Sequence, residues 1–132
     1  MANTALRRFQ ITRFQFRRDR VIGDSQIRVE NANIFALELI DASGRIGLGF
    51  HCTHQPLPDE EEIARIFATE VWPTIDGREA GAIAIEVTKP RGGSSPNTIP
   101  PFDEVIQQAC WDLLAKSLDL PLWKLFGAKR DW

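Results

Sequence analysis

The sequence predicts an α+β domain in which a small three-stranded antiparallel sheet, a β-meander, precedes a small helical bundle. Three observations carry that expectation. Apolar residues in the first part of the chain recur with the two-residue period of strands, and those in the later part recur with a helical period. The strand-like stretches also come first and together, without strict alternation with helices. The length of 132 residues suits one domain, and 43% hydrophobic with 26% charged residues is an ordinary globular composition. Such a domain buries roughly two thirds of the surface its unfolded chain exposes, enough for one core.

Residues 9–16, FQITRFQF, read as the first strand. Its apolar phase slips: Phe9 and Ile11 fall on odd positions, Phe14 and Phe16 on even ones. A bulge near Thr12–Arg13 would reconcile them, as would cover on both faces. Residues 17–31 are polar and charged with IGDS as a turn signal, so a long loop is expected there. NIFALELI then sets Phe35, Leu37 and Leu39 on one face, DASG supplies a turn with Gly44 free to take positive φ, and RIGLGF sets Ile46, Leu48 and Phe50 on one face. That is a β-hairpin. Gly47 and Gly49 leave the opposite face bare, so another element can approach closely there.

From PLPDEEEIARIFATEVWP onward the period is helical. Asp59 can cap, Glu60 to Glu62 suit a helix start, Ile63, Ile66 and Phe67 form an apolar stripe, and Pro73 and Gly77 close the element. REAGAIAIEVTK reads as a short helix, and PRGGSSPNTIPP as a connecting loop. The main helix begins near Phe102 and runs to about Leu118, with DLPLWKLFG as a last turn stopped by Gly127.

That main helix has too much apolar surface. On a wheel of about 100° per residue, Val105, Ala109, Leu113, Ile106 and Cys110 cover one side, and Leu114, Leu118, Trp111 and Ala115 continue around the other. Only Gln108, Asp112, Lys116 and Asp119 make a compact polar sector, whereas a surface helix needs an apolar stripe a little over ~100° wide. Leu122, Trp123, Leu125 and Phe126 follow at once. Leaving four such side chains in water forgoes about 6–12 kcal/mol, comparable with the stability of a whole domain. A second body is expected to cover them.

Charge is uneven: residues 1–28 hold seven Arg against two Asp, while the net charge of the whole chain is −2. A nucleic-acid module resting on the six Arg of the first twenty residues is disfavoured, because these alternate with Phe as on a half-exposed strand. No nucleic-acid partner is expected. Neither is a membrane, since no apolar run approaches spanning length and MANTALRRFQ lacks a secretory core, which makes the cytoplasm the expected compartment. Cys52 and Cys110 are too few for a disulfide framework. His51, Cys52 and His54 lie too close in sequence to converge on one zinc ion, and Cys52 has no orienting partner as a nucleophile. RGGSSPN lacks the Lys-Ser/Thr ending of a phosphate-binding loop. Asp112 and Lys116 read as a surface ion pair.

GRIGLGF after the hairpin turn, and then ACWDLLAKSLDLPLWKLFGA, resemble the amino-terminal capping domain of the enolase superfamily, in its mandelate racemase and muconate-lactonizing branch. The helix pattern there reads roughly ALWDLxGKxLGxPLxxLLGG. Ala109, Trp111, Asp112, Leu113, Lys116, Leu118, Pro121, Leu122, Leu125 and Gly127 stand at matching steps, within a likeness running from about Ile11 to Asp131. The resemblance implies a capping domain over residues 1–126, with 127–132 beginning a linker to a (β/α)8 barrel. The barrel would carry the chemistry: a Lys or His removes the proton α to a carboxylate, and Mg²⁺ on barrel carboxylates stabilises the enediolate. Dehydratase, racemase or cycloisomerase activity, hence an isomerase or lyase, is what the family does. This chain would bring no catalytic residue and no metal ligand, and would be inactive alone.

By the same resemblance two segments shape the pocket for a small carboxylate or sugar acid. They are Arg17 to Gln26, where Arg17, Arg18 and Arg20 would neutralise a second carboxylate, and Phe50 to Pro56, where His54 would meet the substrate's distal part and Phe50 and His51 are further candidates for contact. Phe50 departs from the Glu that many members carry there. Trp111, Leu114, Leu118, Leu122, Leu125 and Phe126 would face the barrel. The alternative is a non-catalytic interaction domain that self-associates through the apolar carboxy-terminal helix, and a homo-oligomer is compatible with either reading.

Overall fold

A computed structural model describes residues 3–23, 28–53, 55–86 and 102–127. Strands β1 (Leu6–Gly23), β2 (Arg28–Asp41) and β3 (Ile46–Thr53) form an antiparallel meander in the order β1-β2-β3. Helices follow: α1 (Glu60–Ile66), a π-helical turn (Phe67–Val71), α2 (Trp72–Ile75), α3 (Ala80–Ala84), α4 (Phe102–Ser117) and α5 (Leu122–Leu125). The expected α+β class and meander stand. RGGSSPN lies outside the described residues.

Two expectations about β1 need correction. Its pairing with β2 is unbroken from Arg8↔Ile40 to Arg17↔Asn31, so there is no bulge at Thr12–Arg13. The phase slip is instead a change of face. Ile11 enters the core, while Phe14 and Phe16 point to the other side of the sheet and stay exposed. The long loop expected over 17–31 is mostly strand: β1 continues to Gly23 and β2 starts at Arg28, with a register shift between Arg17 and Ile22. The polar composition that suggested a loop is that of a ribbon extending past the core.

The β2–β3 hairpin forms as expected. Gly44 takes φ 82° and donates to the Asp41 carbonyl at 3.0 Å. The buried Asp41 carboxylate accepts from the Ser43 and Arg45 amides, each at 2.9 Å, and pairs with the Arg45 guanidinium at 3.1 Å. Phe35, Leu37 and Leu39 are fully buried on the inner face.

Ile63, Phe67, Val71 and Ile75 are also fully buried, and they recur every fourth residue. An α-helix of 3.6 residues per turn would rotate such a row away from the sheet. The π turn, which takes more residues per turn, keeps the row straight. Pro73 gives its cause: the ring has no N–H to offer and crowds the carbonyl four residues back. The main helix forms as expected: α4 ends at Ser117, Asp119 turns the chain at φ 54°, and the short α5 is the last turn before Gly127 at φ 77°.

Candidate functional site

The site grows from the way α4 lies on β3. Val105, Ala109 and Leu113, four residues apart, are buried against the sheet. Gly47 and Gly49 make this possible: a β-carbon at Gly47 would sit 2.1 Å from the Ala109 carbonyl oxygen, and one at Gly49 would sit 2.1 Å from that of Val105. The bare face read from the sequence is where the helix backbone rests.

The neighbouring stripe of α4 is polar, and it closes the open edge of β3. The Gln108 amide accepts from Phe50 N–H and donates to the Phe50 carbonyl, both at 3.2 Å. Asp112 accepts from Leu48 N–H at 3.0 Å, and Lys116 donates to the Ile46 carbonyl at 2.6 Å and to Asp112 at 3.0 Å. The match is metrical. Four helical residues rise about 6 Å and two strand residues about 6.7 Å, so positions 108, 112 and 116 meet 50, 48 and 46 in turn. An unpaired edge would otherwise be a template for strand addition. Asp112 and Lys116, read from sequence as a surface pair, are thus tied to the sheet, and Gln108 was missed. A polar i, i+4, i+8 stripe on an otherwise apolar helix, together with the G-x-G strand, was the available signal.

Beyond that edge lies an apolar groove of about 490 Å³ lined by Leu48, Phe50, Gln107, Gln108, Trp111, Asp112, Leu122 and Phe126. Among these Asp112 alone can ionise, and it is already held by Leu48 and Lys116. Trp111 meets Phe126 edge to face at 4.9 Å, folding α5 back on α4. Leu118 is 52% exposed and Phe126 60%. Leu122 and Trp123 are also open to solvent, and Leu125 is half-buried. Leu114 differs from this set. It is half-buried and turned toward α3, its Cδ1 lying 3.3 Å from where a β-carbon on Gly81 would be.

The expected substrate contacts divide between surfaces. Phe50 belongs to the groove. His51, one residue on, points to the opposite face, 5.9 Å from the Phe35 ring, with Nδ1 3.9 Å from the exposed Glu104 carboxylate. Arg17 is exposed and pairs with Asn31, two residue rows beyond the Arg13–Phe35–His51 row on that same face. His54 and the side chains of Arg18 and Arg20 lie outside what the structure describes. Cys52 is exposed and Cys110 buried. Among the described residues no group of three His, Cys, Asp or Glu could hold a metal ion, so they do not fit Mg²⁺, which requires near-octahedral oxygen donors.

A three-stranded meander clasped by a helix leaves an apolar groove uncovered on the far side of that helix, with Asp112 the one ionisable group among its described lining residues. Solved structures share this fold. A mandelate racemase-type protein from Mesorhizobium loti is 49% identical over 96% of this chain, with a TM-score of 0.83, and 33% of its own length is covered. The muconate lactonizing enzyme from Pseudomonas fluorescens, solved with muconolactone, matches at 20% identity and TM-score 0.72 over 98% of this chain and 36% of its own. An enolase-superfamily member from Roseovarius nubinhibens, solved with magnesium, matches at 19% identity and TM-score 0.63 over 95% and 34%. No family profile and no curated protein matches. The chain belongs to the mandelate racemase and muconate-lactonizing branch of the enolase superfamily, as an amino-terminal domain. It spans about a third of the length of these solved relatives.

Proposed function

We propose that residues 1–126 cap the active site of an enolase-superfamily enzyme acting on a small carboxylate or sugar acid, with 127–132 leading into a (β/α)8 barrel. One observation carries this reading: the groove of Leu48, Phe50, Trp111, Leu122 and Phe126, together with exposed Leu118, is apolar and uncovered by the described residues. Large exposed apolar patches mark interaction sites. A barrel seated there would exclude water from a reaction centre lying outside this chain, with Mg²⁺-assisted removal of an α-proton as its chemistry. By sequence, Arg17, Arg18, Arg20, His51 and His54 are the cationic and imidazole groups of this chain that would suit an acidic substrate.

Complementation tests the proposal. The chain is mixed with the Mesorhizobium relative from which the matching third has been removed, and α-proton exchange into D₂O is followed over a panel of sugar acids with Mg²⁺ present. A 1:1 complex and restored exchange are expected. A chain that ignores the barrel and pairs with itself through Phe126 would favour the interaction-domain alternative.

A further inference from the structure

The inner face of β2 is apolar through Leu39, Leu37 and Phe35 and then turns polar at Asn33, which is still only 3% exposed. Its Nδ2 donates to the Gln55 carbonyl at 2.9 Å, while its buried Oδ1 has no partner among the described residues. Arg13 stands opposite Phe35, and Asn33 opposite Gln15 and Thr53, so Arg13 and Asn33 are diagonal neighbours on that face. Nη2 of Arg13 donates to the Leu57 carbonyl at 3.3 Å, and its Nε is likewise buried without a partner among the described residues.

The segment they hold joins β3 to α1. Pro56 and Pro58 remove two of its N–H groups and fix two φ angles, so it is stiff and cannot pair as a strand. The Gln55 N–H is taken by Thr53 Oγ1 at 3.1 Å. The carbonyls of Gln55 and Leu57 are what it offers the sheet, and Asn33 and Arg13 meet one each.

Stability alone does not explain such a pair. A buried polar group left unpaired offsets the bond its neighbour atom makes, and an apolar side chain would fill the core as well. An apolar side chain could not fix the place of a carbonyl. We propose that Asn33 and Arg13 are positioning residues: they pin the backbone of 55–57 to the base of the β1–β2 ribbon, so that the ribbon and the segment next to His54 in sequence act as one wall. The consequence for substrate choice rests on the capping reading; the clamp itself does not. Under that reading a loosened wall weakens contact with the non-reacting part of the substrate, which raises KM and leaves kcat.

Two substitutions test this. Asn33→Leu keeps the branched shape without the polar atoms, and Asn33→Ala guards against overpacking. In the chain alone, the Gln55 and Leu57 amides should exchange at least about fivefold faster in both variants, with Leu37 unchanged and melting within a few degrees of the parent. Arg13→Met should release Leu57 more than Gln55. Unchanged exchange at Gln55 and Leu57, or loss of folding in both Asn33 variants, overturns the inference; in the second case the core itself needs the residue. In the chain complemented by a barrel, KM should rise at least about tenfold with kcat within about twofold, and an unchanged KM or an equal loss in kcat overturns the positioning role. If the unaltered chain restores no activity, the capping reading fails, and amide exchange still decides the clamp.

Discussion

The side-chain amide of Gln108 satisfies both backbone groups of Phe50, accepting its N–H and donating to its carbonyl at 3.2 Å each. The residue thus stands in for a fourth strand at the point where β3 leaves the core. The same helix presents Trp111 to the groove, so the position of the strand edge and the docking face are set by one rigid element.

Replacing Gln108 with Ala should lower stability by about 1 kcal/mol, since both freed groups lie near solvent and water takes over part of the bonding. Melting should fall by a few degrees. Amide exchange at Phe50 should accelerate more than at Leu37 in the core. Equal exchange in variant and parent would show that the clamp does not hold the edge.

Gly47→Ala and Gly49→Ala should each cost about 3 kcal/mol or prevent folding, because the added carbon meets helix backbone that no rotamer change can move. Gly44→Ala is the contrasting case. It has open space around it, and only its positive φ is penalised, at about 1 kcal/mol. Denaturant titration of the three variants checks the order.

Phe126→Ala and Leu118→Ala should leave the chain's own melting within about 1 kcal/mol of the parent while abolishing complementation by a barrel. Trp111 does not separate the two effects. It is half-buried, packed on the core and against Phe126, so Trp111→Ala should destabilise the chain itself by about 2 kcal/mol.

Acid stability has a small term at Glu62. The hydrogen bond from Arg65 holds its carboxyl below the usual range, opposed by a lesser desolvation and aided by the charge of Arg65. A depressed folded-state value means stabilisation present above the unfolded value and lost as pH falls through the folded one. Glu62→Gln should therefore flatten the acid limb of a melting-versus-pH curve. Because the pair is exposed, high salt should shrink the difference. A difference that persists in molar salt would contradict this.

How far the sequence reads depends on range. Alternation at Phe35, Leu37 and Leu39, the Gly44 turn and the bare G-x-G face are local patterns, and each appears in the structure where the residues suggested. Phe14 and Phe16 defeated the same logic, because a strand changing its apolar face looks like a bulge until the pairing partner is known. Gln108 shows in the sequence only as one member of a polar helix stripe, because its partner Phe50 stands 58 positions earlier and only the fold joins them.

The surplus of apolar residues over residues able to cover them is a property of composition and period, so the expectation of a second body followed from the sequence alone. Where that surplus lies was decided by the tertiary structure. Strand alternation sends Phe50 to the groove and His51 to the opposite face, and the seating of α4 on Gly47 and Gly49 leaves Phe126 and Leu118 uncovered. Burial depends on which surfaces meet, and that is a relation between distant segments which no local period encodes.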